Sequence, residues 1–231
     1  MKIILTGATG FAGSEILAHL IAHPGVTQVS CLTRRPLDAS SPKVTTIIHE
    51  NFEVYDASLI ERLSDHTSCI WALGGKQSDL GSPDQFARIT HSFTIALAEA
   101  VASTARNRFT FCYLSGMGAD PTETARLPWE KLTRHLKGRT ECDLARLQQM
   151  YPTFSTHSFR PGGILPSPGS AVLRMLLAPI VVGVDELADA MIAGATDPGM
   201  FRRWPTITNA NIKRLARGME CGPHDTRALA T

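Results

Sequence analysis

The chain has 231 residues, 43% of them hydrophobic and 19% charged, with a formal net charge of +2 at pH 7. That length can bury a full core in one domain, and the composition argues against a disordered or fibrous chain. Lys and Arg form no runs, so nucleic acid is not an expected partner. Five cysteines, an odd number with no C-x-x-C pair, argue against a disulfide framework and a zinc site, and no metal is expected.

In chain order, Lys2–Thr6 is an apolar run that reads as a buried strand, and Phe11–His23 reads as a helix stopped by Pro24-Gly25. Gln28–Thr33 and Thr45–His49 are the next strands. Ser58–His66 is a short helix, and Cys69–Leu73 is the fourth strand. Pro83 opens a long helix to about Ala105, with Phe86, Ile89, Phe93 and Leu97 on one face. Phe109–Leu114 is the fifth strand, Trp129–Met150 a helix, and a strand follows near Thr156–Phe159. Asp185 is the expected cap of a helix over Glu186–Ala195, and Asn209 of one over Ala210–Met219. Short apolar runs alternating with longer helical ones predict an α/β fold, a doubly wound parallel sheet of Rossmann type. Residues 1–231 are expected to form one such domain, with 165–231 contributing a small C-terminal lid or substrate region.

The first strand pattern begins at Lys2, so no cleavable signal is expected ahead of it and the expected location is cytoplasmic. The most apolar stretch, Ala171 to Val184, is interrupted by Arg174 and Pro179 and falls short of the roughly 20 residues of a membrane span.

Thr6-Gly7-Ala8-Thr9-Gly10-Phe11-Ala12-Gly13 lies directly between the first strand and the first helix. Gly7 suits a tight turn, Gly10 a close approach of backbone to a pyrophosphate, and Gly13 close helix packing. The helix N-terminus then offers free N–H groups to phosphate, with Thr9, Phe11 and Ala12 beside it. A glycine-rich turn without a ligand is the bland alternative. Where an NAD site places an acidic residue after the second strand, this chain has Thr33-Arg34-Arg35. Two guanidiniums suit a 2′-phosphate, so NADP(H) is the expected cofactor ahead of NAD(H); two solvated arginines are the competing reading.

Taken with Asn51-Phe52-Glu53, Leu73-Gly74-Gly75, the segment Leu114 to Asp120, Lys137-Gly138-Arg139-Thr140-Glu141 and Arg160-Pro161-Gly162-Gly163-Ile164, the phosphate loop gives the chain a family likeness. It resembles the atypical short-chain dehydrogenase/reductases of the Tat-interacting oxidoreductase-like group, which has many fungal members. The resemblance implies Asn51 and Phe52 near the adenine, and Leu73, Gly74 and Gly75 under the pyrophosphate and ribose. It implies Ser115 at the catalytic-serine position, Lys137 on the nicotinamide ribose, and Pro161, Gly162, Gly163 and Ile164 at the nicotinamide end.

That family uses a tyrosine four residues before the lysine, on the same helix face. Here the position holds Thr133, and Trp129 stands one turn further back. An aliphatic hydroxyl is too weak an acid for the task, and an indole N–H only donates hydrogen bonds. Tyr113 shares strand parity with Ser115 and is the nearest phenol candidate, although a core aromatic is its plainer reading. The catalytic candidates are therefore Ser115, Lys137, Thr133 and Tyr113. Leu173, Met175, Leu176, Leu177, Ile180 and Val181 read as an apolar pocket wall for a small natural-product-like substrate, as the face of a homodimer, or as plain core. Three functions stay open: an NADP(H)-dependent oxidoreductase of secondary metabolism, a non-redox isomerase, lyase or cyclase, and a nucleotide-sensing regulator without turnover.

Overall fold

The computed structural model describes residues 1–38, 40–75, 81–122, 130–167, 177, 179–197, 199 and 205–219. In chain order the elements are β1 (Lys2–Thr6), α1 (Phe11–Ala22), β2 (Gln28–Thr33), β3 (Val44–Ile48), α2 (Ala57–Leu63), β4 (Ser68–Trp71), α3 (Pro83–Ala87), a π-helical turn (Arg88–Ser92) and α4 (Phe93–Thr104). They continue with β5 (Phe109–Leu114), α5 (Lys131–Met150), β6 (Phe154–Arg160), β7 (Gly163–Leu165), β8 (Val181–Gly183), α6 (Val184–Thr196), β9 (Thr206–Thr208) and α7 (Asn209–Ala216). Seven strands form one sheet in the order β3-β2-β1-β4-β5-β6-β9, every pair parallel. The order reverses between β1 and β4, which opens a crevice at the carboxyl ends of those strands.

Burial of both faces explains why β1, β2, β4 and β5 are mostly apolar and show no alternation with exposed polar residues. Alternate residues serve opposite layers. Ile3 and Leu5 of β1 pack with Ile16 and Leu20 of α1 and with Leu187 and Met191 of α6. Ile4, Trp71, Phe111 and Tyr113 face the other way, among Leu97 and Ala98 of α4 and Leu144 and Leu147 of α5. Cys31, Cys69 and Cys112 are buried in these layers as free thiols, and burial pushes Cys31 up to about 12. Cys142 is exposed, and Cys221 lies outside the described residues.

Several sequence expectations need correction. The single long helix from Pro83 is broken by the π-turn, where Phe93 N–H bonds the Arg88 carbonyl five residues back. The Thr90 carbonyl there accepts the hydroxyls of Thr94 at 2.8 Å and Thr140 at 3.4 Å, which compete with the regular backbone donor. Asp185 is not the cap of α6: the backbone is helical from Val184, Gly183 is the N-cap, and the Glu186 carboxylate accepts the Gly183 N–H at 2.8 Å. Thr208, not Asn209, caps α7, accepting from Asn211 N at 3.4 Å.

Part of the 165–231 region expected to contribute a lid lies outside the described residues. Among its described residues, α6 lies in the main core against α1, and β9 is the seventh strand of the main sheet. The apolar spacing of α6 fits a helix of the main layer. β7 and β8 form a separate two-stranded parallel sheet. Trp129, Leu173, Met175 and Leu176 lie outside the described residues.

Candidate functional site

The glycine loop joins β1 to α1 at the strand-order reversal. Gly7 has φ of +72°, and a Cβ there would stand 2.5 Å from the Ala72 carbonyl oxygen at the end of β4. A Cβ on Gly13 would fall 2.0 Å from the Gly7 carbonyl oxygen, so α1 sits on its own loop at a distance only glycine permits. Gly10 differs: its Cβ would meet only the Gly7 oxygen, at 3.3 Å, which leaves its outer side open. No side chain caps the first turn of α1. Its N–H groups therefore stand ready for an anion beside exposed Thr9 and Phe11, with Ala12 packed against the core beneath. This cradle fits a pyrophosphate.

At the β2 end the chain turns on Thr33, whose hydroxyl donates to the Arg35 carbonyl at 3.0 Å and accepts the Arg35 N–H at 3.3 Å. Arg34 and Arg35 are exposed, and neither forms an ion pair with a described residue. Asn51 is exposed and accepts the Glu53 N–H at 3.1 Å, which shapes the turn after β3. Phe52 is a core residue instead: 2% exposed, it stacks on Phe93 and meets Trp71 edge-on, so its ring supports the floor of the cleft. After β4, Leu73 is half-buried, while Gly74 and Gly75 are exposed. Gly74 needs its lack of a side chain for its φ of +154° rather than for space.

The catalytic candidates converge at the end of β5, but three of them are sealed. Ser115 is 1% exposed, and its hydroxyl donates to the Glu141 carboxylate. Arg160 clamps that carboxylate from the end of β6, with Nε at 2.9 and 3.1 Å from its two oxygens and an Nη2 contact besides. Tyr113 is 2% exposed, one pleat deeper than Ser115. Burial pushes its phenol well above the usual tyrosine range, against a hydrogen bond with Thr140. Thr133 is 6% exposed. All three hydroxyls are thus covered, which agrees with the plainer core reading of Tyr113; parity and helix spacing brought them to the right end of the sheet but could not show how deeply each is covered.

Lys137 differs: the residue is partly exposed, but its Nζ turns inward and donates to the Ser115 carbonyl at 2.8 Å. Burial lowers its ammonium to about 8, with the carboxylates of Glu130 and Glu141 opposing the fall. The next residue, Gly138, lets α5 touch the loop after β5, since a Cβ there would lie 2.4 Å from Pro121 N. That contact places Lys137 against Ser115.

At the nicotinamide-facing end expected from the sequence, Pro161 is buried, Gly162 and Ile164 are half-buried, and Gly163 is exposed. A Cβ on Gly162 would lie 2.0 Å from the Ile180 carbonyl oxygen. Of the anticipated apolar wall, Leu177 and Ile180 are exposed, with Met117 also exposed nearby, while Val181 is buried in β8. Two of the described histidines are engaged by carboxylates: His91 Nε2 is 2.8 Å from Asp143, and His19 Nδ1 is 2.7 Å from Asp189. Among the described residues no cluster of His, Cys, Asp or Glu could hold a metal, and no helix is long and apolar enough to cross a membrane.

Sequence reasoning missed Glu141, Arg160 and Asn209 as site residues. Glu141 stands four residues after Lys137, on the same helix face, and that spacing was the available signal. Arg160 and Asn209 depend on which strands become neighbours, which no local pattern shows.

Residues 3–147 match the family model described as the NAD dependent epimerase/dehydratase family. A mitochondrial protein named FMP52 from Eremothecium gossypii is 30% identical over 64% of this chain and 61% of its own length. The Emericella nidulans protein of the same name is 32% identical over 52% of each. The chain thus spans about half to three fifths of these curated relatives. Among solved structures, the Bordetella bronchiseptica enzyme WbmF in complex with NAD+ superposes with a TM-score of 0.67 at 16% identity, over 94% of this chain and 76% of that one. The cytoplasmic location expected from the sequence is overturned by these relatives, both of which are named as mitochondrial. The matched segment runs from the first strand through the helix that carries Lys137, and the chain belongs to the NAD dependent epimerase/dehydratase family.

Proposed function

We propose that this protein is an NADP(H)-dependent oxidoreductase acting on a small apolar carbonyl or alcohol, and that, as the names of its relatives suggest, it works in mitochondria. The observation that carries the nucleotide part is the uncapped first turn of α1 above Gly7, Gly10 and Gly13, with Arg34 and Arg35 exposed where an acidic residue would select NAD. When bound, the nicotinamide supplies or accepts a hydride. Lys137 holds a transferable proton near neutrality at Nζ, and with the hydroxyls of Ser115, Thr133 and Tyr113 sealed it is the group that takes the tyrosine's part. Exposed Met117, Leu177 and Ile180 give the rim beside it an apolar character.

Fluorescence titration with NADPH and NADH tests the cofactor reading: tighter binding of NADPH supports it, and binding of neither sinks it. Incubation with NADPH and a panel of alkyl and aryl aldehydes and ketones, with products read by mass spectrometry, tests the chemistry. Loss of the reduced nicotinamide matched to alcohol formation is the expected result. A second reading, nucleotide sensing without turnover, is favoured by the burial of all three candidate hydroxyls. Tight NADPH binding with no reduction across the panel would favour it. Product formed at unchanged redox state would point to the isomerase class instead.

A further inference from the structure

Asn209 opens α7, yet its side chain does not serve that helix, whose cap is Thr208. The amide turns inward and is 6% exposed. Its Oδ1 accepts the Gly162 N–H at 2.8 Å, while Nδ2 donates to the Pro179 carbonyl at 3.0 Å and to the Val181 carbonyl at 3.3 Å. One buried side chain thereby joins three separate stretches: the loop after β6, the turn entering β8 and the start of α7. The closeness is tight, since Gly162 lies against the Ile180 backbone where no Cβ would fit. The same loop is tied to the end of β5, because Met117 N–H donates to the Pro161 carbonyl at 2.7 Å. The height of residues 161–164 above the Ser115–Lys137 end of the sheet is therefore set from two sides, by Met117 and by Asn209.

We infer that Asn209 is a positioning residue for the nicotinamide half of the cofactor: it fixes the loop at Gly162 that closes that end of the cleft, and it has no part in holding the adenosine half. The inference rests on the nucleotide reading above. The adenosine elements, Arg34, Arg35 and the glycine loop, belong to β1, β2 and α1 and share no hydrogen bond with Asn209. Replacing Asn209 with Ala strips three backbone groups of their partner and releases the loop, but leaves the Thr208 cap and those elements in place.

The experiment compares two probes on the full chain, NADPH and 2′,5′-ADP, the latter carrying the adenosine and 2′-phosphate without a nicotinamide. For Asn209→Ala the expected result is about a tenfold loss of NADPH affinity with 2′,5′-ADP affinity kept within about twofold. Retained 2′,5′-ADP binding also shows that the variant is folded. Asn209→Asp keeps the acceptor for Gly162 N–H and loses both donors, so an intermediate NADPH loss is expected, and it carries the test if the alanine variant does not fold. A general structural role would weaken both probes alike, and that outcome, or an unchanged ratio in either folded variant, overturns the inference. Wild-type protein that binds neither probe sinks the nucleotide reading and this inference with it. Wild-type protein that binds both, with the ratio unmoved by substitution, overturns the positioning role alone.

Discussion

Replacing Lys137 by Met should stabilise the fold, and the gain should shrink as pH rises. Burial lowers the Lys137 ammonium from 10.5, its ordinary value, to about 8. At pH 7 the charged form in the folded protein then costs about 3 kcal/mol relative to the unfolded chain. A group lowered on folding imposes its full cost below the folded value and none above the unfolded one, so the penalty fades between pH 8 and 10.5. At pH 10 roughly 1 kcal/mol remains. The methionine changes packing and removes the hydrogen bond to the Ser115 carbonyl, but those contributions do not depend on pH. The diagnostic is therefore the slope. Urea unfolding of both proteins at pH 7, 8, 9 and 10, read by two probes to confirm a two-state transition, should show the stability difference moving by about 2 kcal/mol toward the wild type. A difference flat across that range would refute the buried-ammonium argument, and with it the assignment of Lys137 as an acid tuned near neutrality.

Substituting Arg34 and Arg35 by Ala should weaken NADPH roughly ten- to a hundredfold while leaving NADH nearly unchanged, by titration calorimetry; equal losses would refute the 2′-phosphate assignment. Gly13→Ala drives a methyl group to 2.0 Å from the Gly7 carbonyl oxygen, so it should cost about 1–3 kcal/mol in denaturant unfolding and abolish nucleotide binding. Arg160→Met leaves the Glu141 carboxylate buried beside Ser115 without its cation and should cost about 3–5 kcal/mol, most of it recovered when Glu141→Leu is added. No recovery in the double variant would mean that the pair contributes packing rather than charge balance. On any carbonyl substrate that is reduced, the rate should fall as pH rises through about 8, where Lys137 loses its proton, and the Lys137→Met variant should lose that inflection.

The sheet was legible because a parallel sheet covered on both faces makes its strands mostly apolar along their whole length, and β1, β2, β4 and β5 are of that kind. The glycine loop was legible because its requirements are local: a positive φ at Gly7 and a close contact at Gly13 are written into the spacing itself. The three-residue strands β7, β8 and β9 were not, since so short a run shows no alternation and their pairing is set by distant partners. The catalytic end divides the same way. Helix spacing placed Thr133 on the Lys137 side of α5, and strand parity placed Tyr113 with Ser115. Depth is a tertiary property, and it turned three of the four catalytic candidates into buried hydroxyls. Asn209 shows the converse: a residue that reads as a helix cap spends its amide on backbone 28 to 47 residues earlier in the chain.

The place of β9 and α7 in chain order also bears on how the molecule is made. The glycine loop lies in the first β-α-β unit and Arg34 and Arg35 directly after it, so they leave the ribosome first, but β1 and Gly7 meet their packing partners only when β4 and α6 follow. The loop at Gly162 has to wait about 47 residues more, until Asn209 has been synthesised and β9 has docked on β6. On the nucleotide reading proposed above, a nascent chain in that interval carries the adenosine-end elements without the fixed loop at Gly162. Cofactor present during synthesis would accordingly help the early core at first weakly, and fully only once the last strand is home.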